Sequence, residues 1–158
     1  MKLILAMDPS GGIGYKNNLP WKKLEGDLSR FKTLTTDQVV VMGRNTWDSL
    51  PKKPLPHRLN FVVTSKALDL PYGAIAVKDL SPFKYFPNCW LIGGAKLVNT
   101  SWEYIDEIHL SRTHAHFDCD TFIDVIQLES RYHLVEKTVH SDHDYEVWKK
   151  NETVSSTM

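Results

Sequence analysis

The sequence predicts a single α/β domain: a mixed, mainly parallel sheet of about eight strands, with helices on both faces and an antiparallel C-terminal hairpin. Three observations predict it. Short β-branched runs alternate with helix-like segments from residue 2 to about residue 102, the pattern of repeated strand-helix-strand units. The first run, Lys2-Leu3-Ile4-Leu5-Ala6-Met7, is apolar on both faces, as in a strand covered from both sides. Beyond Ile105 the runs 108–113, 132–139 and 145–148 follow one another with no helix between the later ones, which closes the sheet with antiparallel strands.

Taken in order, residues 2–7 are the first strand, and Pro9-Ser10-Gly11-Gly12-Ile13-Gly14 breaks it and opens a flexible loop that reaches Pro20. A helix is expected over residues 24 to about 35, where Leu24, Asp27 and Phe31, spaced by three and four, project from nearly the same side. Gln38-Val39-Val40-Val41-Met42 is a strand that ends at Gly43-Arg44, with a short helix at Trp47. Pro51, Pro54 and Pro56 forbid regular structure before the strand Leu59-Asn60-Phe61-Val62-Val63-Thr64. Residues 74–77 and 89–92 are further short strands, and Gly93-Gly94 introduces a helix through about Trp102. The domain spans residues 1–150, and the small polar residues 151–158 are expected to be a disordered tail.

Composition narrows the function. Lys plus Arg and Asp plus Glu number 19 each, so no overall field argues for nucleic acid. Cys89 and Cys119 stand far apart without CxxC spacing, which excludes a disulfide framework and points to a reducing cytoplasm. No apolar run approaches the roughly 18 residues of a membrane span, and Asp8-Pro9 halts the opening segment too early for a secretory leader.

The most informative residue is Asp27, a carboxylate on an apolar helix face. Such a group needs water, a cation or a ligand offering paired N-H donors, although an acid in a first helical turn also serves simply to complement the helix dipole. Three glycine-bearing turns follow strands: Gly11-Gly12-Ile13-Gly14, Gly43-Arg44 and Gly93-Gly94-Ala95-Lys96. In an α/β sheet, phosphates bind at such strand ends, and Arg44 and Thr46, with Thr64, Ser65 and Lys66 after another strand, suit a phosphorylated nucleotide. The alternative is plain turn glycines and a solvated arginine. Neither the dinucleotide fingerprint nor the Walker spacing is present, and no nucleophile elbow supports acyl transfer. His114, His116, Asp118, Cys119 and Asp120 could pass for metal ligands, but no second cluster accompanies them, and no metal is expected. Trp21, Phe31, Trp47 and Trp90 read as core.

Six pieces then fall in one order: Ile13-Gly14 with Asn18-Leu19-Pro20-Trp21; Leu24-x-x-Asp27-Leu28-x-x-Phe31; Val41-Met42-Gly43-Arg44-x-Thr46-Trp47; Pro54-Leu55-Pro56-x-Arg58-x-Asn60; Ile92-Gly93-Gly94; and Asp120-Thr121-Phe122. In this order the chain resembles the dihydrofolate reductase family along nearly its whole length. The resemblance implies an enzyme of one-carbon metabolism that transfers hydride from NADPH to C6 of dihydrofolate, N5 being protonated. It implies that Asp27 holds the pterin by a bidentate pair, and that Ile4, Ala6, Leu28, Phe31, Leu50, Leu55 and Ile92 line the pocket, with Ser111 in place of a usual threonine. Arg58 would clamp the glutamate α-carboxylate. Arg44, Ser65 and Lys66, with Thr64, would meet the adenosine 2′-phosphate, and Gly43, Thr46, Gly93, Gly94, Ala95, Lys96 and Leu97 the pyrophosphate side. Ala6, Ile13, Gly14 and Leu19 would lie near the nicotinamide, and Lys78 is a further cofactor candidate. The segment from Pro9 to Trp21 would be a lid.

Antifolate inhibitors, a monomeric state and a cytoplasmic setting are expected with it. Three departures stand out: one extra residue between Trp21 and Leu24, Glu25 where proline is usual, and Val98 in place of a tyrosine. Glu25 is expected to face solvent, about 200° from Asp27 on a helix. Two other readings compete: a pyrimidine reductase of riboflavin synthesis, which lacks the Asp27 and Arg58 pattern, and a non-catalytic folate- or nucleotide-binding protein.

Overall fold

The strand pattern builds one eight-stranded sheet and a separate two-stranded ribbon in a computed structural model that describes residues 1–66 and 69–152. In chain order the elements are β1 (Lys2–Met7), β2 (Gly12–Gly14), α1 (Asp27–Thr35), β3 (Val39–Gly43), α2 (Arg44–Ser49), β4 (Leu59–Val63), β5 (Ala74–Val77) and β6 (Cys89–Leu91). There follow α3 (Ala95–Asn99), β7 (Glu107–Thr113), β8 (Thr121–Phe122), α4 (Val125–Arg131), β9 (Tyr132–Val139) and β10 (His143–Lys150). The large sheet runs β5-β4-β3-β6-β1-β7-β10-β9, and the ribbon pairs β2 with β8. Every neighbour from β5 to β7 is parallel, while β10 is antiparallel to both β7 and β9.

Alternation along the strands divides the interior into two layers. Leu3, Val41, Leu91, Ile108 and Leu110 point to one face, where Val98 of α3 and Leu128 of α4 join them. Ile4, Val40, Met42, Val62 and Trp90 point to the other, with Trp47 of α2 and Phe31 and Leu34 of α1 packed on them. Trp21, Trp47 and Trp90 are buried and Phe31 is partly so. Ser111 and His109 of β7 share the α1 face with Tyr145 and His143 of β10, because Ser111 stands opposite Tyr145 and Thr113 opposite His143.

Five expectations need correction. The helix of residues 24–35 starts only at Asp27, since Gly26 takes the left-handed conformation at φ 74° and sets the helix start there. The loop from Pro9 to Pro20 contains β2. The helix after Gly94 ends at Asn99, and Trp102–Tyr104 is a separate 3-10 turn. A helix, α4, does stand between the later strands; its signal was Asp124, whose side chain caps the amides of Ile126 and Gln127. β10 also begins two residues earlier than expected, at His143. Of the tail, residues 153–158 lie outside the described residues.

Candidate active site

Asp27 opens α1 on the face of the sheet that carries Ser111. Leu24 lies outside the helix, and its carbonyl accepts from Asp27 N at 3.3 Å. The residues between are pinned by the β9–β10 turn: Ser141 Oγ donates to Glu25 Oε2 at 2.6 Å, and Glu25 N donates to Asp142 Oδ2 at 3.0 Å. Glu25 is exposed, as expected, but from a turn and not from a helix face. The Asp27 side chain retains 34% exposure. Its Oδ1 accepts from Ser111 Oγ at 2.5 Å, and the Arg30 guanidinium approaches the same oxygen at 3.7 Å.

An apolar wall stands beside this carboxylate. Ile4, Phe31, Leu50, Leu55 and Ile92 belong to one packed cluster, whereas Leu28 of the same helix is 56% exposed. A side chain left so open next to a packed wall can face a ligand. Arg58 sits at the wall's end, its guanidinium 5.9 Å from the Phe31 ring centroid and Nη1 donating to Thr35 Oγ1 at 3.1 Å. Burial lowers the pKa of Arg58 from its ordinary value, yet a guanidinium remains charged. Asn60, fully buried, holds the preceding turn: Oδ1 accepts from Leu55 N at 2.9 Å, and Nδ2 donates to Leu55 O at 3.0 Å and Arg58 O at 2.9 Å. A cleft of about 470 Å³ adjoins Arg58 with His57, Asp37 and Phe86.

The carboxyl ends of β3, β4, β5 and β6 form a second locus. Parallel register sets Gly43 beside Val63 and Val63 beside Val77, so Arg44, Thr64, Ser65, Lys66 and Lys78 emerge from one edge of the sheet. Gly43 N donates to Gly93 O at 2.8 Å, joining the turn of β3 to that of β6. Gly93 adopts φ 130°, and a Cβ there would meet Thr46 Oγ1 at 3.0 Å. Only glycine leaves this cradle open, with Thr46 on one side and Gly94, Ala95, Lys96 and Leu97 on the other. These turns and cations fit a pyrophosphate with a further phosphate. Arg44 bonds Asp48 through Nε, at 3.1 and 3.0 Å to its two oxygens. Val98 is fully buried.

The segment of residues 9–21 is fastened at both ends of β2. Buried Asp8 accepts from Ser10 N and Gly12 N, each at 2.9 Å, and from Phe117 N at 3.2 Å. Asp120 Oδ2 accepts from Lys16 N at 2.9 Å, and this bond first, then that from Thr121 Oγ1, holds its carboxyl below the usual range. Between them Gly14 O accepts from Asp120 N at 2.9 Å. Ala6, Ile13 and Gly14 lie partly buried at this edge, and Leu19 is 67% exposed. A cleft of about 500 Å³ beside Asp8, His116 and Cys119 belongs to this anchorage and contains neither Asp27 nor the glycine cradle. Among the described residues no group of His, Cys, Asp and Glu is arranged to hold a metal ion; His114 pairs with Asp144 at 2.9 Å and His116 faces Ser10 at 3.4 Å. No helix among the described residues is long and apolar enough to cross a membrane.

Sequence reasoning missed Thr35, Asp142, Tyr145 and Arg30. Arg30 follows Asp27 by three residues on one helix, a spacing that could have marked it, whereas only tertiary packing brings Thr35 to Arg58, Tyr145 to Arg30 and Asp142 to Glu25.

The family model described as dihydrofolate reductase matches residues 1–153. The chain is 37% identical to dihydrofolate reductase type 8 of Escherichia coli over 161 aligned positions, covering 94% of this chain and 95% of that one. It is 35% identical to the dihydrofolate reductase of Bacillus subtilis (strain 168), covering 92% and 90%. Among solved structures, dihydrofolate reductase from Enterococcus faecalis complexed with NADP(H) and RAB-propyl superposes with a TM-score of 0.80 at 28% identity, covering 96% of each chain.

Proposed function

The chain belongs to the dihydrofolate reductase family, and on that premise we propose that its Asp27 site reduces 7,8-dihydrofolate to 5,6,7,8-tetrahydrofolate. NADPH, when bound, supplies the hydride that goes to C6, and N5 takes a proton. The observation that carries the reading is the Asp27 carboxylate: Ser111 occupies one oxygen, and the rest of the fork remains partly open beside an apolar wall.

Asp27 accepts a ring N–H and the exocyclic amine of the pterin as a bidentate pair, which favours the protonated ring and makes C6 more electrophilic. The proton for N5 comes from water. Ile4, Ala6, Leu28, Phe31, Leu50, Leu55 and Ile92 enclose the ring and the aminobenzoyl group, and Arg58 takes the glutamate α-carboxylate. Arg44, Thr64, Ser65 and Lys66 hold the adenosine 2′-phosphate, with Lys78 nearby, while Gly43, Thr46 and the Gly93–Leu97 turn hold the pyrophosphate. Ala6, Ile13, Gly14 and Leu19 flank the nicotinamide. The protein's part is alignment and exclusion of water.

We place the enzyme in the cytoplasm as a monomer, with residues 1–150 as its domain. Antifolate inhibitors would occupy the same Asp27 fork. The riboflavin-type reductase is disfavoured by Asp27 and Arg58 together. A loss of NADPH absorbance when dihydrofolate is added to the purified protein is the expected outcome; binding of both without that loss would leave the non-catalytic reading standing.

A further inference from the structure

Beneath Asp27 lies a cluster of polar and titratable side chains for which the reaction has no use. Arg30, one turn along α1, is its centre, with a side chain only 17% exposed. Nη1 donates to Ser111 Oγ at 3.2 Å and faces His143 Nε2 at 3.5 Å, and Nη2 donates to His140 Nε2 at 3.0 Å. The guanidinium lies 4.0 Å from the Tyr145 ring centroid, within cation–π range.

The groups facing it come from every packed element: Asp27 from α1, Ser111 from β7, His140 from the β9–β10 turn, and His143 and Tyr145 from β10, with Asp142 behind the His143 ring. Behind Tyr145, its hydroxyl meets His109 Nδ1, and His109 Nε2 meets Glu107 at 2.7 Å. We propose that Arg30 is a positioning residue for the substrate-binding carboxylate, acting through the Ser111 hydroxyl.

The direction of each bond follows from what each group can do. A guanidinium only donates, so Ser111 Oγ is an acceptor towards Arg30. A carboxylate only accepts, so the single proton of that hydroxyl goes to Asp27 Oδ1. The buried His143 is fixed in the same way: Nδ1 gives its hydrogen to Asp142 Oδ1 at 2.6 Å, and bare Nε2 faces Arg30. His140 stacks on His143 at 4.7 Å and presents its own Nε2. Arg30 is thereby held by Ser111, His140, His143 and the Tyr145 ring, and the first of these also bonds Asp27.

Its placement matters more than its charge alone. At 3.7 Å from Oδ1, with the serine hydroxyl inserted, the guanidinium makes no fork-to-fork pair with Asp27. Such a pair would occupy the two oxygens that a pterin needs. The arrangement supplies a positive neighbour, orients the hydroxyl and leaves the ligand edge free.

This inference rests on the reading of Asp27 as the pterin anchor, and the test separates the two. Arg30→Met and Ser111→Ala, alone and combined, are assayed for kcat and KM with dihydrofolate and for NADPH binding. Each single change is expected to lower kcat/KM for dihydrofolate by about tenfold or more, as loss of a hydrogen bond in a charged network would. NADPH affinity stays at the wild-type value. The double variant is no worse than the poorer single, because both act through one hydroxyl. Arg30→Lys, which brings a point charge but not the fork, falls between.

Wild-type kcat/KM in Arg30→Met, or losses that multiply in the double variant, would overturn the proposal. If Arg30→Met fails to bind NADPH and so fails to fold, the same cycle with Arg30→Lys decides on the same criteria. Asp27→Asn is measured alongside. Wild-type turnover there removes the anchor reading itself, whereas a crippled Asp27→Asn beside a normal Arg30→Met removes only the role of Arg30.

Discussion

Arg44 shows how one residue can serve two states. In this structure its Nε is spent on Asp48, four positions along α2, in an exposed pair that contributes little to stability. Its remaining donors lie at the edge shared with Thr64 and Lys66, where a 2′-phosphate would sit. Arg44→Ala is therefore expected to leave the melting temperature nearly unchanged and to raise KM for NADPH by tenfold or more while that for NADH hardly moves. Equal losses for both cofactors would remove the phosphate role. Arg44 was legible in the sequence because a basic residue directly after a strand-ending glycine has a known use. Asp27 was legible as an acid with apolar neighbours at helical spacing, although one leg of that spacing was illusory, since Leu24 precedes the helix. Arg30 was legible only in its spacing from Asp27. It reads as an ordinary solvated charge until β7 and β10 are laid beneath it.

Among the elements, the segment of residues 9–21 depends most on single bonds. Its Lys16 amide is held by Asp120, whose carboxyl is acidified by that bond, and the sign of the pH effect follows. A group with a lowered native pKa contributes above its unfolded value, about pH 4, and loses the contribution as pH falls through the native value. Hydrogen exchange at Lys16 should be slow at neutral pH, and its protection should vanish on acidification below the usual carboxylate range. Asp120→Ala should abolish the protection at every pH and cut turnover several-fold, with little change in global stability. Protection that survives in the variant would mean that the β2–β8 ribbon holds this segment unaided. The long parallel strands were legible because burial on both faces demands continuous β-branched runs. β2 was not, since Gly-Ile-Gly has no alternation to read, and α4 escaped notice because Leu128 is its only buried residue while Ile126 is 77% exposed.

At the scale of the molecule, β7 is where the parallel and antiparallel parts of the sheet meet, with β1 on one side and β10 on the other. Leu110, wholly buried there, faces the layer of α3 and α4, away from the layer of Ile4, Phe31 and Trp47. Leu110→Ala should cost about 2–5 kcal/mol in urea unfolding, a large share of a domain's stability, while folded protein keeps its kcat. A cost under about 1 kcal/mol would show that this layer repacks freely. The sheet order carries a further consequence for how the protein is made. β10, the last strand among the described residues, does not add to an edge but slots between β7 and β9. A chain emerging from the ribosome as far as Val139 already holds Asp27, Arg30 and Ser111, yet has neither Tyr145 nor His143 to lay under the guanidinium. β10 must therefore be made before Arg30 is fully braced, and a premature stop codon after residue 139 would leave Asp27, Arg30 and Ser111 in place without the ring and imidazole that hold the guanidinium.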